Sequence, residues 1–461
     1  MRFLKKMRGK KLYVYLYYFL APLVLIILSN LSIQPRIEWV NEYILIGGAN
    51  FLSFKWIKDH VKFFKIHEQY FWTYAATILL AVAFFPLGNL LVGHYGIPVF
   101  FGVILVAALM GTESGIASAI TLSTVAAVMS NNSFDLFAMY IVSSITAIYI
   151  VKNFNKRTDM TKVAFYGSII AIMMFFAMHM DLQFISQNET SILIIALNPF
   201  VSMILVLGIM PYVEYISRIY SNIGLLELGG LSHPLLKELS IEAPGTYFHS
   251  VELANMCEMA ASRINANYIL ARIGSYFHDI GKMRRPEFFT ENQKGFNPHD
   301  SMTPIMNYLV IISHVKYGVK MAKEKRLPLL VEDMIREHHG TRMVSFFYQK
   351  ALAENLNVSP DDFRYPGPRP RTKEAGIVML ADSCEAAFKS MKEINPSKIQ
   401  NIVEEIVNRV YNERQLDDSG LSLKDLDEIA QEFSKILSLR MKTRLSYPKR
   451  EETEKVIKIA N

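Results

Sequence analysis

Cysteine is nearly absent: Cys257 and Cys384 are the only two in 461 residues. That is too few for a disulfide framework and agrees with a reducing, cytosolic setting for the part of the chain that carries them. The sequence also lacks an internal repeat, a low-complexity tract and any long alternating pattern of the kind that builds strands. Charge is scarce in one half only. Asp, Glu, Lys and Arg number 24 in the first 211 residues and 67 in the remaining 250, so the first half reads as membrane and the second as an ordinary soluble domain. Acid is missing from the first eleven residues, which hold Arg2, Lys5, Lys6, Arg8, Lys10 and Lys11. Without that tip the net charge of +7 falls nearly to zero, leaving no basic footprint for a nucleic-acid polymer. The abundance of Phe, Tyr, Ile, Leu and Met excludes disorder.

What is present in the first half is a series of long apolar runs. Segments 12–30, 70–91, 95–111, 114–131, 135–151, 163–180 and 191–215 each approach the roughly 20 residues that span the hydrocarbon core. The run after the basic tip has no small-residue cleavage site, so it reads as an uncleaved anchor rather than a signal peptide. The positive-inside rule holds residues 1–11 in the cytoplasm, and it should hold there the basic stretches 55–65 and 152–162 as well. Seven crossings break that assignment. An eighth, weaker one at 39–56, blemished by Asn41, Glu42 and Asn50, restores it and leaves loops 32–38 and 181–191 outside. Eight crossings with the C-terminus inside is the expectation, and six is the alternative.

From about Tyr212 the text changes to amphipathic helical patterning with short breaks. Apolar residues recur at i, i+3, i+4 and i+7 in 250–264, 268–277, 304–323, 329–338, 377–392, 398–412 and 422–439. Ser422 with Asp425 makes a capping box for the last of these. Stretch 361–373, with Pro366, Gly367, Pro368 and Pro370, excludes regular helix and reads as an ordered loop or lid. The fold class is all-α: a polytopic transmembrane helix bundle followed by a soluble all-helical domain. The expected boundaries are 1–219 for the membrane region, 220–243 for a connector, 244–445 for the soluble domain and 446–461 for a polar tail.

Six of the eleven histidines lie between His249 and His339. They are His249, His278 beside Asp279, His299, His314 and the pair His338–His339, with Asp382 further on. Imidazole and carboxylate are the ligand set of first-row transition metals, and a shared carboxylate can bridge two ions. Seven such ligands, leaving aside His299, fill two metal sites more easily than one. A lone His such as His249 is more often a satisfied core or surface residue, Asp279 alone could cap a turn, and Asp382 alone could be a paired core carboxylate. The doublets argue otherwise, because adjacent helical residues diverge by about 100° and burying both requires a partner for each.

His278-Asp279, with His249 upstream and Asp382 downstream, resembles the HD-domain pattern of metal-dependent phosphohydrolases. The wider text resembles one branch of it. Its carriers are Glu242-Ala-Pro-Gly-Thr-Tyr-Phe-His-Ser250, His278-Asp-Ile-Gly-Lys-Met283, Arg285-Pro-Glu-Phe-Phe-Thr-Glu-Asn-Gln293, Asn297-Pro-His-Asp300, Ile311-Ile-Ser-His-Val315, Glu337-His-His-Gly-Thr341 and Phe363-Arg-Tyr-Pro-Gly-Pro368. That branch is the seven-transmembrane HD-domain family, whose characterised members are cyclic di-AMP phosphodiesterases. Two departures stand out: Phe248 occupies the place of a second His beside His249, and only the short loop 32–38 separates Leu31 from the next segment where the family usually has a large extracellular domain.

The resemblance implies metal ligands His249, His278, Asp279, His314, His338, His339 and Asp382. Asp279 would bridge two divalent ions, Mn²⁺ or Fe²⁺, with His249, His278 and Asp382 on one and His314, His338 and His339 on the other. It implies opening of cyclic di-AMP to linear pApA by in-line attack of a hydroxide held between the metals. Lys282 and Arg285 are candidates for the phosphates, the one as a point charge and the other through a bidentate fork. Both have a bland reading as solvated helix-end charge. His299 is a candidate for orienting a ligand or protonating the leaving oxygen, and Tyr365 for stacking on a base; an ordinary loop His and a shape-filling loop Tyr are the plain alternatives. The expected partners are a cyclic dinucleotide and the lipid bilayer, with the soluble domain cytoplasmic, and a homo-oligomer is compatible with this layout. The competing classes are a non-catalytic membrane receptor that binds a nucleotide and an HD phosphohydrolase acting on another nucleotide.

Overall fold

A computed structural model describes residues 20–27, 38–150, 154–180, 187–230, 232–293, 295–391 and 395–442. Of the expected first crossing only 20–27 falls among them, as helix; loop 32–38 apart from its last residue, much of 181–191 and the tail 446–461 lie outside the described residues. The chain divides into two compact units, Met1–Gly224 and Leu225–Asn461. No strand forms among the described residues; the one extended pairing is an isolated bridge between Met343 and Arg364.

In the first unit the apolar runs emerge as helices close to their expected bounds: Glu68–Ala83 continuing into Phe85–Val92, then Val99–Met110, Thr112–Met129, Phe134–Ile150, Arg157–Met178 and Glu189–Ser217. Four spans, Glu68–Val92, Thr112–Met129, Arg157–Met178 and Glu189–Ser217, are long and apolar enough to cross a membrane, and His94–Met110 and Phe134–Ile150 are shorter apolar helices. The weaker eighth candidate is a continuous helix, Glu38–His60, packed against Thr112–Met129. Consecutive helices from Val99 to Met178 pack pairwise, and large apolar side chains such as Leu90, Leu193 and Ile204 face outward. Backbone that breaks helix inside such a bundle must be satisfied by protein groups. At the break before Val99, Tyr140 Oη donates to the carbonyls of His94 and Tyr95, both at 3.1 Å. Asn198 Nδ2 donates to those of Tyr95 at 2.8 Å and Ile97 at 2.9 Å.

The second unit is a helical domain in which side-chain caps set where helices begin. Asn267, Thr303, Thr372 and Asn395 each accept a backbone N–H of the first turn, and Ser422 and Asp425 exchange bonds at 2.9 and 3.1 Å as a capping box. Pro244 and Pro304 stand at first helical positions, where the missing N–H costs nothing; helix Pro244–Arg263 therefore starts earlier than its apolar pattern. Stretch 361–373 runs from a short 3₁₀ turn, Pro360–Phe363, through irregular backbone, with Gly367 at φ +76°, to the cap at Thr372. Three helices lay outside the periodic reading: Asn222–Leu228, Pro234–Glu242 and Ser345–Ala353. Cys257 and Cys384 are buried and free, and desolvation pushes both thiols up to about 12, which keeps them inert.

Two close approaches bring the helices of this unit together. Helix Tyr268–Phe277 crosses Leu329–Glu337 at Gly274, where a Cβ would lie 2.1 Å from the Met334 sulfur. The turn Ile280–Arg284 lies on helix Pro304–Glu324 at Gly281, where a Cβ would lie 1.8 Å from the His314 carbonyl and 2.5 Å from the Gly318 nitrogen. Only glycine permits that second contact, and it is what draws residues 278–279 toward His314.

Candidate metal centre

Five helices and one turn deliver the cluster. His249 lies in Pro244–Arg263, His278 caps Tyr268–Phe277, and Asp279 opens the following turn. His314 lies in Pro304–Glu324, His338 and His339 close Leu329–Glu337, and Asp382 lies in Lys373–Ser390. Gly340, at φ +54°, ends the doublet's helix in a left-handed conformation that L side chains rarely take.

Two groups of side chains place ligand atoms within 4.8 Å of one another: His249, His278 and Asp279, and Asp279, His314, His338 and His339. Asp279 belongs to both. Its Oδ2 stands 3.2 Å from His278 Nε2 and 3.8 Å from His249 Nε2; its Oδ1 stands 3.4 Å from His314 Nε2 and 3.6 Å from His338 Nε2. Asp382 Oδ1 joins through His249 Nε2 at 3.2 Å.

The tautomers follow from what lies behind the rings. Nδ1 of His278, His314 and His338 sits 2.8, 2.6 and 2.9 Å from the carbonyls of Ser275, Ile311 and Ile335, each three residues back. A carbonyl only accepts, so Nδ1 carries the proton and Nε2 presents its lone pair to the cluster. His314 Nε2 and His338 Nε2 then face each other at 3.3 Å, and His278 Nε2 and Asp279 Oδ1 are buried with no hydrogen-bond partner. Lys282 reaches only Oδ2 of Asp279, and imidazole lone pairs packed against the unpartnered Oδ1 side are costly unless a cation lies among them. The donor set, imidazole nitrogen with carboxylate, is that of a divalent transition metal, so these residues fit the group.

Electrostatics agree. Burial pushes the His314 imidazolium down to about 4 and that of His339 well below its usual value, which leaves both neutral, as ligands must be. Burial also opposes charge on His249, yet the carboxylates of Asp382 and Glu385 outweigh it and raise this ring to about 10, so its site favours a cation. Asp279 is desolvated, but the Lys282 ammonium beside it holds its carboxyl well below the ordinary range. Lys282 Nζ stands 2.7 Å from Asp279 Oδ2 and 2.9 Å from Glu291 Oε1, and these carboxylates keep it charged despite burial. Glu291 in turn accepts from Thr246 Oγ1 at 3.0 Å.

The structure therefore brings the seven anticipated ligands and Lys282 together. It treats the other three residues differently. Arg285 is exposed, its guanidinium 5.9 Å from the Phe288 ring centroid. Tyr365 is stacked on His339 at 4.2 Å and 26°, so its ring already has a partner on the cluster's edge. His299 has both nitrogens engaged, Nδ1 with Asn307 Oδ1 at 2.7 Å and Nε2 with the Phe288 carbonyl at 2.8 Å. Asn307 Nδ2 donates to the His299 and Met302 carbonyls, which fixes Oδ1 as the acceptor. With no ring nitrogen free, His299 braces the loop bearing Arg285 and Phe288. Two acidic residues escaped the sequence reading. Glu291 lies among short 3₁₀ turns where periodicity carries no signal, whereas Glu385, one turn past Asp382, could have been found from their i, i+3 spacing. A cleft of about 430 Å³ opens at the cluster, lined by His249, Lys282, Thr290, Glu291, Asp382, Glu385, Ala386 and Lys389.

Two family profiles match the chain: "7TM receptor with intracellular HD hydrolase" over residues 37–221 and "HD domain" over 246–387. The chain belongs to the seven-transmembrane HD-domain family. Among similar proteins, the cyclic-di-AMP phosphodiesterase PgpH of Bacillus subtilis is 35% identical over 373 residues, covering 78% of this chain and 52% of that protein. The protein of the same name from Listeria monocytogenes is 33% identical over 317 residues, covering 67% and 44%. The chain thus spans about half the length of the curated relatives it matches. A crystal structure of the L. monocytogenes PgpH HD domain in complex with cyclic-di-AMP matches at 40% identity and a TM-score of 0.44, covering 45% of this chain and 97% of that one.

Proposed function

We propose that this protein is a membrane-anchored, metal-dependent phosphodiesterase that opens cyclic di-AMP to linear pApA. The observation that carries the reading is Asp279, buried and shared between two groups of imidazoles, with its Oδ1 and His278 Nε2 left without a hydrogen-bond partner. Adenine over guanine rests on the names of the relatives. Asp279, His249, His278 and Asp382 would hold one divalent ion, and Asp279, His314, His338 and His339 the other, with Mn²⁺ or Fe²⁺ the expected metals. Such ions supply a nucleophile from water near neutral pH and draw charge from the phosphoryl oxygens.

The chain's own residues do the rest. Lys282, held between Asp279 and Glu291, fixes the shared carboxylate and adds positive charge at the floor of the cleft. Arg285 can reach a phosphate through its fork, on a loop braced by His299. Tyr365 orients His339 by stacking on its ring. A receptor that only bound nucleotide would have no use for a complete ligand set.

The full chain, purified with Mn²⁺, is expected to convert cyclic di-AMP to pApA, to act more slowly on cyclic di-GMP, and to lose activity to EDTA and regain it with Mn²⁺ or Fe²⁺. No turnover across several divalent metals and cyclic dinucleotides would end the enzyme reading in favour of a receptor. A nucleotide substrate also requires the second unit to face the cytoplasm, which the basic stretches 1–11, 55–65 and 152–162 support. Alkaline phosphatase fused after Val151 should be inactive, and after Met180 active; activity at the first site contradicts eight crossings with the C-terminus inside.

A further inference from the structure

Three rings of the cluster are oriented by carbonyls of their own helical turns, but His249 is not. Its Nδ1 stands 3.2 Å from Glu385 Oε2, and Glu385 is 2% exposed. The other Glu385 oxygen lies 2.5 Å from Lys389 Nζ. Glu385 follows Asp382 by three residues on helix Lys373–Ser390, so both point the same way and grip one imidazole from its two sides, Asp382 at Nε2 and Glu385 at Nδ1. A carboxylate behind a ligating imidazole holds the proton on Nδ1, sets the ring's orientation and makes Nε2 a better donor.

We infer that Glu385, held by Lys389, is a positioning residue that directs His249 Nε2 to the first of the two proposed metals and sets that site's affinity. The inference rests on the dinuclear reading above. Lys389 neutralises the carboxylate, so that its charge is balanced when the site is loaded. Glu385 meets the cluster through His249, which belongs to the first ligand group alone, and the effect should therefore fall on one metal of the two.

The test is Mn²⁺ binding to the full chain, stripped of metal and titrated calorimetrically, with the melting temperature of the metal-free protein measured alongside. Wild type should bind two ions. Glu385→Ala should lose roughly 10- to 100-fold in the affinity of one site while the other is unchanged. Glu385→Gln, similar in shape and still able to accept from Nδ1, should recover part of that loss. Lys389→Met should weaken the same site by less. Two sites of wild-type affinity in both Glu385 variants overturn this proposal alone, and equal weakening of both sites in Glu385→Gln with a lowered metal-free melting temperature overturns it as a structural effect. A wild type that binds fewer than two ions overturns the dinuclear reading, and this proposal with it. Should Glu385→Ala fail to fold, the Gln and Met variants give the same decision.

Discussion

Asp279→Asn is expected to lower turnover of the cyclic dinucleotide by about 10³-fold or more, equivalent to about 4 kcal/mol in the barrier, and to leave the protein unable to hold two Mn²⁺ ions. The substitution keeps the shape of the side chain but replaces one carboxylate oxygen with an N–H₂ donor. Asp279 faces Nε2 of His278, His314 and His338 at 3.2 to 3.6 Å. An amide donor there satisfies lone pairs that otherwise call for a cation, and removes the negative charge that both ligand groups share. Lys282 keeps Glu291 as a counter-ion, so the metal-free protein should still fold. Metal content and steady-state hydrolysis, measured on one preparation, decide the matter. More than a tenth of wild-type turnover with two Mn²⁺ retained would show that Asp279 is not the shared ligand.

The second large effect is expected at a residue with no side chain. In Gly281→Ala the new Cβ would meet the main chain of helix Pro304–Glu324, the His314 carbonyl at 1.8 Å and the Gly318 nitrogen at 2.5 Å. Main chain inside a helix has nowhere to go. The turn carrying Asp279 must lift away from His314, at a cost of about 3 kcal/mol, the upper end for overpacking. In a domain of this size that lowers Tm by roughly 6–12 °C. Gly274→Ala is the natural comparison: its Cβ would meet the Met334 thioether, an unbranched side chain that can re-route. Thermal denaturation of the two variants should therefore separate widely, with activity lost in Gly281→Ala even below its melting temperature. Similar melting temperatures for both would mean that the turn does not need this contact.

Much of this molecule could be read from its text, for identifiable reasons. Apolar length betrays a membrane helix whatever its neighbours, and six runs between Gln69 and Tyr215 emerged as helices near their expected ends. Amphipathic period located helices 268–277 and 304–323 almost to the residue. The gathering of the seven candidate ligands was legible because burying both members of a His doublet or a His-Asp pair requires a partner for each. Contacts set by three-dimensional approach were not legible. Nothing in the letters around Gly281 says that its Cα lies on another helix's backbone, and Glu291 reaches Lys282 from a run of 3₁₀ turns without period. His299 shows the same limit from another side. It carries the same letter as the ligands, but Asn307 and the Phe288 carbonyl claim both its nitrogens, and only the fold reveals that.

The carbonyl-held rings have a consequence for how such a centre changes through descent. The aim of His278, His314 and His338 is written in main-chain geometry, three residues back along each one's own turn. Any neighbouring substitution that leaves the helix intact leaves that aim intact too, so these candidate ligands are insulated from genetic drift. His249 has no such shelter, because its bearing is set by a carboxylate on another helix. Inherited variation in metal preference within such a lineage should therefore gather around residues 382–389 rather than around the His-Asp pair itself.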